Sequence, residues 1–231
     1  MESECVKIIG VIPAYNEEKR IATVVAEVRK YCSEVIVVND GSADSTADVA
    51  REAGALVVSH SVNMGLGFSL RTGAETALKR GAEIIVTIDG DGQHDASEIP
   101  RVVAELENGQ FEVVIGGRPN NAEMPFYKQL GNQFIYWSER ALFGSLVVDT
   151  QSGFRAFRAS VWPRLVWRSR GYSVSSEIVK NIATHKLKFV EIPVKTIYHD
   201  DYKGTRIMDG VKIVAQMVRW KVKDLGGNPN G

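Results

Sequence analysis

Apolar runs and helical stripes alternate along the first half of the chain. Val6–Ile12 is apolar and β-branched and stops at Pro13, which reads as a buried strand. From Glu17 to Tyr31, Ile21, Val24, Val25 and Val28 recur at helical spacing, with charges on the opposite face. Glu34–Val38 is a second buried strand, stopped by Asn39-Asp40-Gly41-Ser42. A short helix follows over Ser42–Gly54, with Ser42 or Asp44 as its cap. Leu56–Ser59, Glu83–Ile88 and Glu112–Ile115 are further strands, and Gly67–Lys79 and Ala96–Leu106 are the helices between them. These strands are apolar throughout instead of alternating. That is the signature of a mainly parallel central sheet with helices on both faces, an α/β fold. The second half is less regular. Pro125–Phe143 reads as an aromatic-rich helix, a second candidate for a membrane-facing surface with core packing favoured, and Asp149–Arg155 as a loop. Helical stretches follow near Trp162–Arg168 and Ser175–His185. Phe189–Tyr198 is strand-like with Pro193 inside it, which predicts an edge or a bend. Ile207–Val222 is a helix, and the Gly/Asn/Pro tail from Gly226 is expected to fray.

Composition narrows the function classes. At 231 residues the chain makes one large domain, or one domain with an appendage. Lys+Arg and Asp+Glu are 28 each, so no global basic field for nucleic acid exists. Two cysteines make no disulfide framework, and no Cys/His spacing suits zinc. The start of the chain is acidic with only a short apolar run, unlike a signal peptide. No stretch of about twenty apolar residues would span a bilayer. The expectation is a soluble cytoplasmic chain with peripheral membrane contact left open.

In open α/β sheets ligands bind at the carboxyl ends of the strands, and here polar clusters sit at three such ends. Asp89-Gly90-Asp91-Gly92-Gln93-His94 offers two carboxylates two residues apart. Such a pair can share a hard divalent cation with substrate phosphates, and Gln93 adds an amide oxygen. The same letters also make an ordinary turn. Asp40 can accept hydrogen bonds from a base or ribose, or simply close a turn. Tyr15, in Pro13-Ala14-Tyr15-Asn16-Glu17, can stack on a ring. His94, at a helix start, reads as polar surface. Taken together, the three ends suit a nucleotide with a metal-bound diphosphate. No GxxxxGK[ST] loop and no GxGxxG at the first helix compete with that reading.

The motifs VIPAYNE, VVNDGSADST, NMGLG, TIDGDGQH, GGR, DTQSGFRAF, GYSVSSE and IPV…YKGTR resemble those of the family 2 glycosyltransferases of the GT-A fold. Within that family they are most similar to dolichyl-phosphate mannose synthases and related polyprenyl-phosphate sugar transferases. The resemblance covers roughly Ile8 to Lys221. It implies that Pro13, Tyr15, Glu17, Asp40 and Gly65 line the nucleotide pocket and that Asp89, Asp91 and Gln93 hold Mg²⁺ or Mn²⁺. Arg118 would lie near the sugar or acceptor phosphate, joined more loosely by Lys128 and Asn132, with Ser152 of the DTQSGFR signature also at the acceptor phosphate. Asp149 and Arg155 belong to the DTQSGFR signature, and Lys203 and Arg206 to a loop closing on phosphates. The first acid of the usual DDGS motif is Asn39 here.

The implied reaction moves a hexose, GDP-mannose being the favoured donor, onto dolichyl or polyprenyl phosphate with inversion. The acceptor oxygen is already anionic, so orientation and charge neutralisation matter more than a strong base. Asp91, Arg118, Asp149 and Arg206 would carry the chemistry. UDP-glucose or UDP-N-acetylhexosamine donors, transfer to a glycan hydroxyl, and a nucleotide-sugar-binding subunit remain alternatives. The catalytic domain is expected over 1–204, a basic amphipathic helix over 205–224 and a flexible tail over 225–231. On that helix Ile207, Val211, Val214, Val218 and Met217 share a face ringed by cations, a shape suited either to a membrane interface or to packing on the domain. The membrane surface, with or without a separate membrane subunit, is the implied partner, and the place is its cytoplasmic side.

Overall fold

The structure is a computed structural model. It describes residues 6–117, 126–144, 147, 149–197 and 207–225, and within the helices the side chains of all but 126–130, 132, 207–209 and 225. Arg118, Lys203 and Arg206, and the side chains of Lys128 and Asn132, lie outside the described residues.

In the first half the chain runs β1 (Ile8–Ala14), α1 (Ile21–Val28), β2 (Glu34–Asn39), α2 (Thr46–Glu52), β3 (Leu56–Ser59), α3 (Leu66–Lys79) and β4 (Ile84–Thr87). Then come α4 (Ile99–Glu107), β5 (Val113–Gly117), α5 (Phe126–Phe143), β6 (Arg155–Arg158), α6 (Trp162–Leu165), α7 (Val174–Thr184), β7 (Phe189–Pro193) and α8 (Ile207–Leu225). The strands form one seven-stranded sheet in the order β3-β2-β1-β4-β6-β5-β7. β1, β2, β3 and β4 pair in parallel, as do β5 and β7. β1, β2, β4 and β5 are buried almost end to end because helices cover both faces. One apolar layer joins α1 and α4 to the sheet through Ile21, Val25, Ile99 and Leu106. The other joins α3 and α7 through Leu70, Ala74, Ile178 and Ile182.

Three sequence expectations change here. The Asp149–Arg155 signature leads directly into a strand, β6, which lies antiparallel between β4 and β5. Four residues with an arginine at each end hide that strand. Both side chains find carbonyls, Arg155 at Thr150 and Arg158 at Leu106, so the charges are tolerated inside the sheet. The first two helices start later than their patterns suggest, because residues 16–18 and 42–45 bind each other instead. The helix near Trp162 lasts one turn, since Val166 turns extended (φ −51°, ψ 136°) and sends Trp167 inward. There the Trp167 indole N–H donates to Gly67 O at 2.7 Å. Pro193 ends β7 at the sheet edge, as its chemistry requires.

α5 and α8 pack against each other through Ile135, Ile213 and Met217. Met217, placed by the sequence on the shared apolar face, is therefore wholly buried. Val211, Val218 and Val222 are exposed, and so are Phe134 and Trp137 on α5, where core packing was expected. No helix of the described residues is long and apolar enough to cross a membrane.

Candidate active site

The loops after β1, β2 and β4 meet at one sheet edge. The first two are knitted together. Asn16 N–H donates to Ser42 Oγ (3.0 Å), Glu17 N–H to Thr46 Oγ1 (2.8 Å) and Ala43 N–H to Asn16 Oδ1 (2.9 Å). Asn16 adopts φ 56°, a left-handed conformation that asparagine tolerates better than most residues. This turn leaves Tyr15 about half exposed over the edge, free to present a ring face, while Pro13 is buried within β1.

Asp40 is spent on the framework. It is buried, and its oxygens accept from Met64 N–H and Gly65 N–H (2.8 Å each), with His60 Nδ1 2.7 Å away. Burial pushes its carboxyl up, but the bonds from His60 and the two backbone N–H groups outweigh this and hold it below the usual carboxylate range. His60 is fixed in turn by Thr72 Oγ1 (3.0 Å) and by an edge contact with Phe68. The sequence reading missed His60, which sits one residue past β3 with no motif around it. Asp40 and His60 thereby shape the Asn63–Gly67 turn. Gly65 is needed in that turn: its φ is 93°, and a Cβ there would lie 2.5 Å from Arg170 O. Glu177 holds the opposing segment by accepting from Arg168 N–H and Ser169 N–H.

The acid pair follows β4. Asp91 Oδ1 accepts from Gln93 N–H (3.0 Å), the bond that closes this turn. Burial and the neighbouring Asp89 charge raise the Asp91 carboxyl above its ordinary value. Two carboxylates that repel each other at a half-buried sheet edge fit a divalent cation. Among the described residues no third His, Cys, Asp or Glu joins them, so amide and phosphate oxygens would complete the shell. His94 is not surface. It is buried against Phe154, with Nε2 3.5 Å from Asp89 Oδ2. It is close enough to influence Asp89 and too enclosed to meet a substrate.

The reversed strand β6 brings the 149–155 loop onto this pair. Thr87 Oγ1 donates to Gly153 O (3.0 Å), and a Cβ at Gly153 would sit 2.1 Å from Asp89 Oδ2. Asp149 N–H donates to Glu191 Oε1 (2.7 Å). Ser152 is buried, and its hydroxyl donates to Gly116 O at 2.5 Å, which commits its proton to the fold. Arg155 is likewise buried, its Nη2 on Thr150 O at 3.1 Å. After β7, Ile197 N–H donates to Gln93 O (2.7 Å), so the described chain stops beside the acid-pair loop just before the segment carrying Lys203 and Arg206.

Comparison with known proteins places this site in a family. Residues 11–166 match Glycosyl transferase family 2. A UDP-N-acetylglucosamine–dolichyl-phosphate N-acetylglucosaminyltransferase of Methanococcus voltae is 34% identical, over 92% of this chain and 95% of its own. A polyprenol monophosphomannose synthase of Mycolicibacterium smegmatis is 27% identical, over 95% and 87%. Among solved structures, glucosyl-3-phosphoglycerate synthase from Mycobacterium tuberculosis in complex with Mg²⁺ and uridine diphosphate superposes with a TM-score of 0.74 at 20% identity. It covers 98% of this chain and 82% of that one, a likeness of fold that agrees with the GT-A expectation. With an acid pair at the end of β4 and a family match over more than half its length, the chain belongs to family 2 of the glycosyltransferases.

Proposed function

We propose that this glycosyltransferase moves a sugar from a nucleoside-diphosphate donor to a polyprenyl phosphate at a membrane surface, with inversion at the anomeric carbon. The observation that carries the reading is the convergence of Asp89, Asp91 and the Gly153 turn at one sheet edge. N-acetylglucosamine is the first donor sugar to test, because the 34% identity to the Methanococcus voltae protein extends over nearly both chains. Mannose is second, on the 27% identity to the mannose synthase.

Asp89 and Asp91 would hold Mg²⁺ or Mn²⁺, with Gln93 as a further oxygen ligand. Such an ion supplies positive charge to the departing diphosphate. Tyr15 presents its ring to the base, and the Asn63–Gly67 turn, braced by Asp40, forms the pocket wall. Asp149, held through its backbone by Glu191, orients the incoming phosphate. Arg118, Lys203 and Arg206 neutralise phosphate charge. The tether from Ile197 to Gln93 supports this assignment for the last two, because the chain enters their segment from beside the acid pair.

The lipid side is assigned to α5 and α8. Val211, Val218 and Val222 form an exposed stripe at seven- and four-residue spacing, and Lys212, Arg219 and Lys223 stand beside it. Phe134 and Trp137 on α5 are exposed as well. An apolar stripe flanked by cations suits the anionic cytoplasmic face of a membrane.

A donor-by-acceptor assay tests the reading. Purified protein receives radiolabelled UDP-N-acetylglucosamine, GDP-mannose or UDP-glucose, a short polyprenyl phosphate, and Mg²⁺ or Mn²⁺. Label passing into the organic phase with one donor, and lost with EDTA, is the expected result. Metal-dependent nucleotide binding without lipid product from any donor would reject the lipid-phosphate acceptor.

A further inference from the structure

Glu139 lies on the inner side of α5 and is wholly buried, at 0% exposure. No hydrogen bond to either of its oxygens closes among the described residues. A buried acid without a closed hydrogen bond is uncommon in a native fold. Its surroundings define what it can do. Burial pushes the carboxyl up to about 7, against the opposing pull of the Ser176 hydroxyl on α7, the Thr150 hydroxyl and the Arg155 guanidinium. α8 meets α5 through apolar Ile213 and Met217 at Ile135, and among the described residues the one charge acting on Glu139 is that of Arg155.

The two hydroxyls are already oriented. The Gln151 side-chain amide donates to Thr150 Oγ1 (3.3 Å) and Ser176 Oγ (3.5 Å). Each hydroxyl therefore keeps its own proton to give, and Glu139 is the buried acid on which both act. Thr150 belongs to the loop that sets Asp149 at one end and places Gly153 on Asp89 at the other.

We propose that Glu139 is a positioning residue for sugar transfer, acting through Thr150 and Ser176 on the 149–155 loop. It touches no substrate itself. When ionised it accepts both hydroxyls and faces the Arg155 cation. When protonated it gives up one acceptor oxygen and the charge, and the loop loses a support.

The inference rests on the transferase reading but not on the lipid acceptor, because the readout is nucleoside diphosphate release with whichever acceptor serves. Wild-type enzyme without turnover on any lipid phosphate would count against the proposed acceptor. Wild-type turnover that the variants match would count against Glu139. Initial rates at saturating donor are measured from about pH 5.5 to about pH 8.5. Turnover of the wild type rises with pH through about 7. Glu139→Gln keeps the shape and removes the charge, so it abolishes that limb. It also lowers kcat about tenfold at the alkaline end, with donor KM within about twofold. A limb from the acceptor's own ionisation would persist in the variant and is thereby separated. Ser176→Ala removes one group that stabilises the charge, so it moves the limb to higher pH. A Glu139→Gln profile and kcat equal to wild type would overturn the proposal. So would a Ser176→Ala limb that stays in place, and that result alone decides the matter if Glu139→Gln does not fold.

Discussion

The two sides of the sheet reach the same site by different means. On the β1–β3 side, parallel strands end together and their loops are tied to one another by short polar side chains: Asn16 to Ser42 and Ala43, Glu17 N–H to Thr46. On the β5–β7 side, an antiparallel strand returns the 149–155 loop to the acid pair, and two amphipathic helices stack outside it. In the first arrangement the N–H groups of Asn16, Glu17 and Ala43 find side-chain acceptors on the neighbouring loop. The second places its functional residues through long-range contacts. The residues assigned to the donor thus stand mostly in the parallel half, and the returning half carries those assigned to acceptor and membrane.

That contrast can be broken at its centre first. Asp91→Ala removes one member of the pair both sides share, and donor turnover is expected to fall about 1000-fold. Its thermal midpoint should move by only a few degrees, because relief of the repulsion with Asp89 offsets the lost bond from Gln93 N–H. A melt beside a turnover assay checks both. Gly153→Ala tests the returning loop alone: its Cβ would collide with the Asp89 carboxylate, and a loss of about 100-fold is expected. Gly171→Ala, where a Cβ meets nothing within 4 Å, is the control and should stay within about twofold.

Asp40→Asn tests the parallel half. It takes the charge from a carboxylate serving two backbone N–H groups and His60, and should cost about 1–3 kcal/mol in urea unfolding at neutral pH. The folded carboxyl titrates below its ordinary 3.8, so its stabilisation is present above about pH 4 and is lost as pH falls through the folded value. The asparagine variant should lack that acid limb. The smallest effect belongs to the outer face: Val218→Glu with Val222→Glu should weaken sedimentation with anionic vesicles about tenfold and leave the thermal midpoint in place.

Much of the fold was legible, and unevenly. β1, β2 and β4 are mostly β-branched, with their polar residues only at the ends, and each lies within about two residues of its expected position. β6 was not legible, because Arg155-Ala156-Phe157-Arg158 has neither length nor a clear period, and its pairing partners are remote in sequence. The acid pair stood out as a motif beside a strand end. His60 did not, since a lone histidine becomes informative only once Asp40 and Thr72 are beside it. Glu139 was hidden for the same reason: a glutamate in an aromatic helix reads as its wet face until the helix is docked.

Sequence by itself determined the local choices. Apolar β-branched runs became parallel strands, Pro193 marked an edge, and Asp89 and Asp91 fell in a turn after β4, because those outcomes depend on residues near one another in the chain. Tertiary structure decided which faces are dry and which acids are enclosed. Met217 went inward while Val218 stayed out, His94 was buried beside Asp89, and the Ser152 hydroxyl was committed as a donor to Gly116 O. Burial, and the pKa that follows from it, is set by what packs from a distance, and no window of neighbouring residues contains that information.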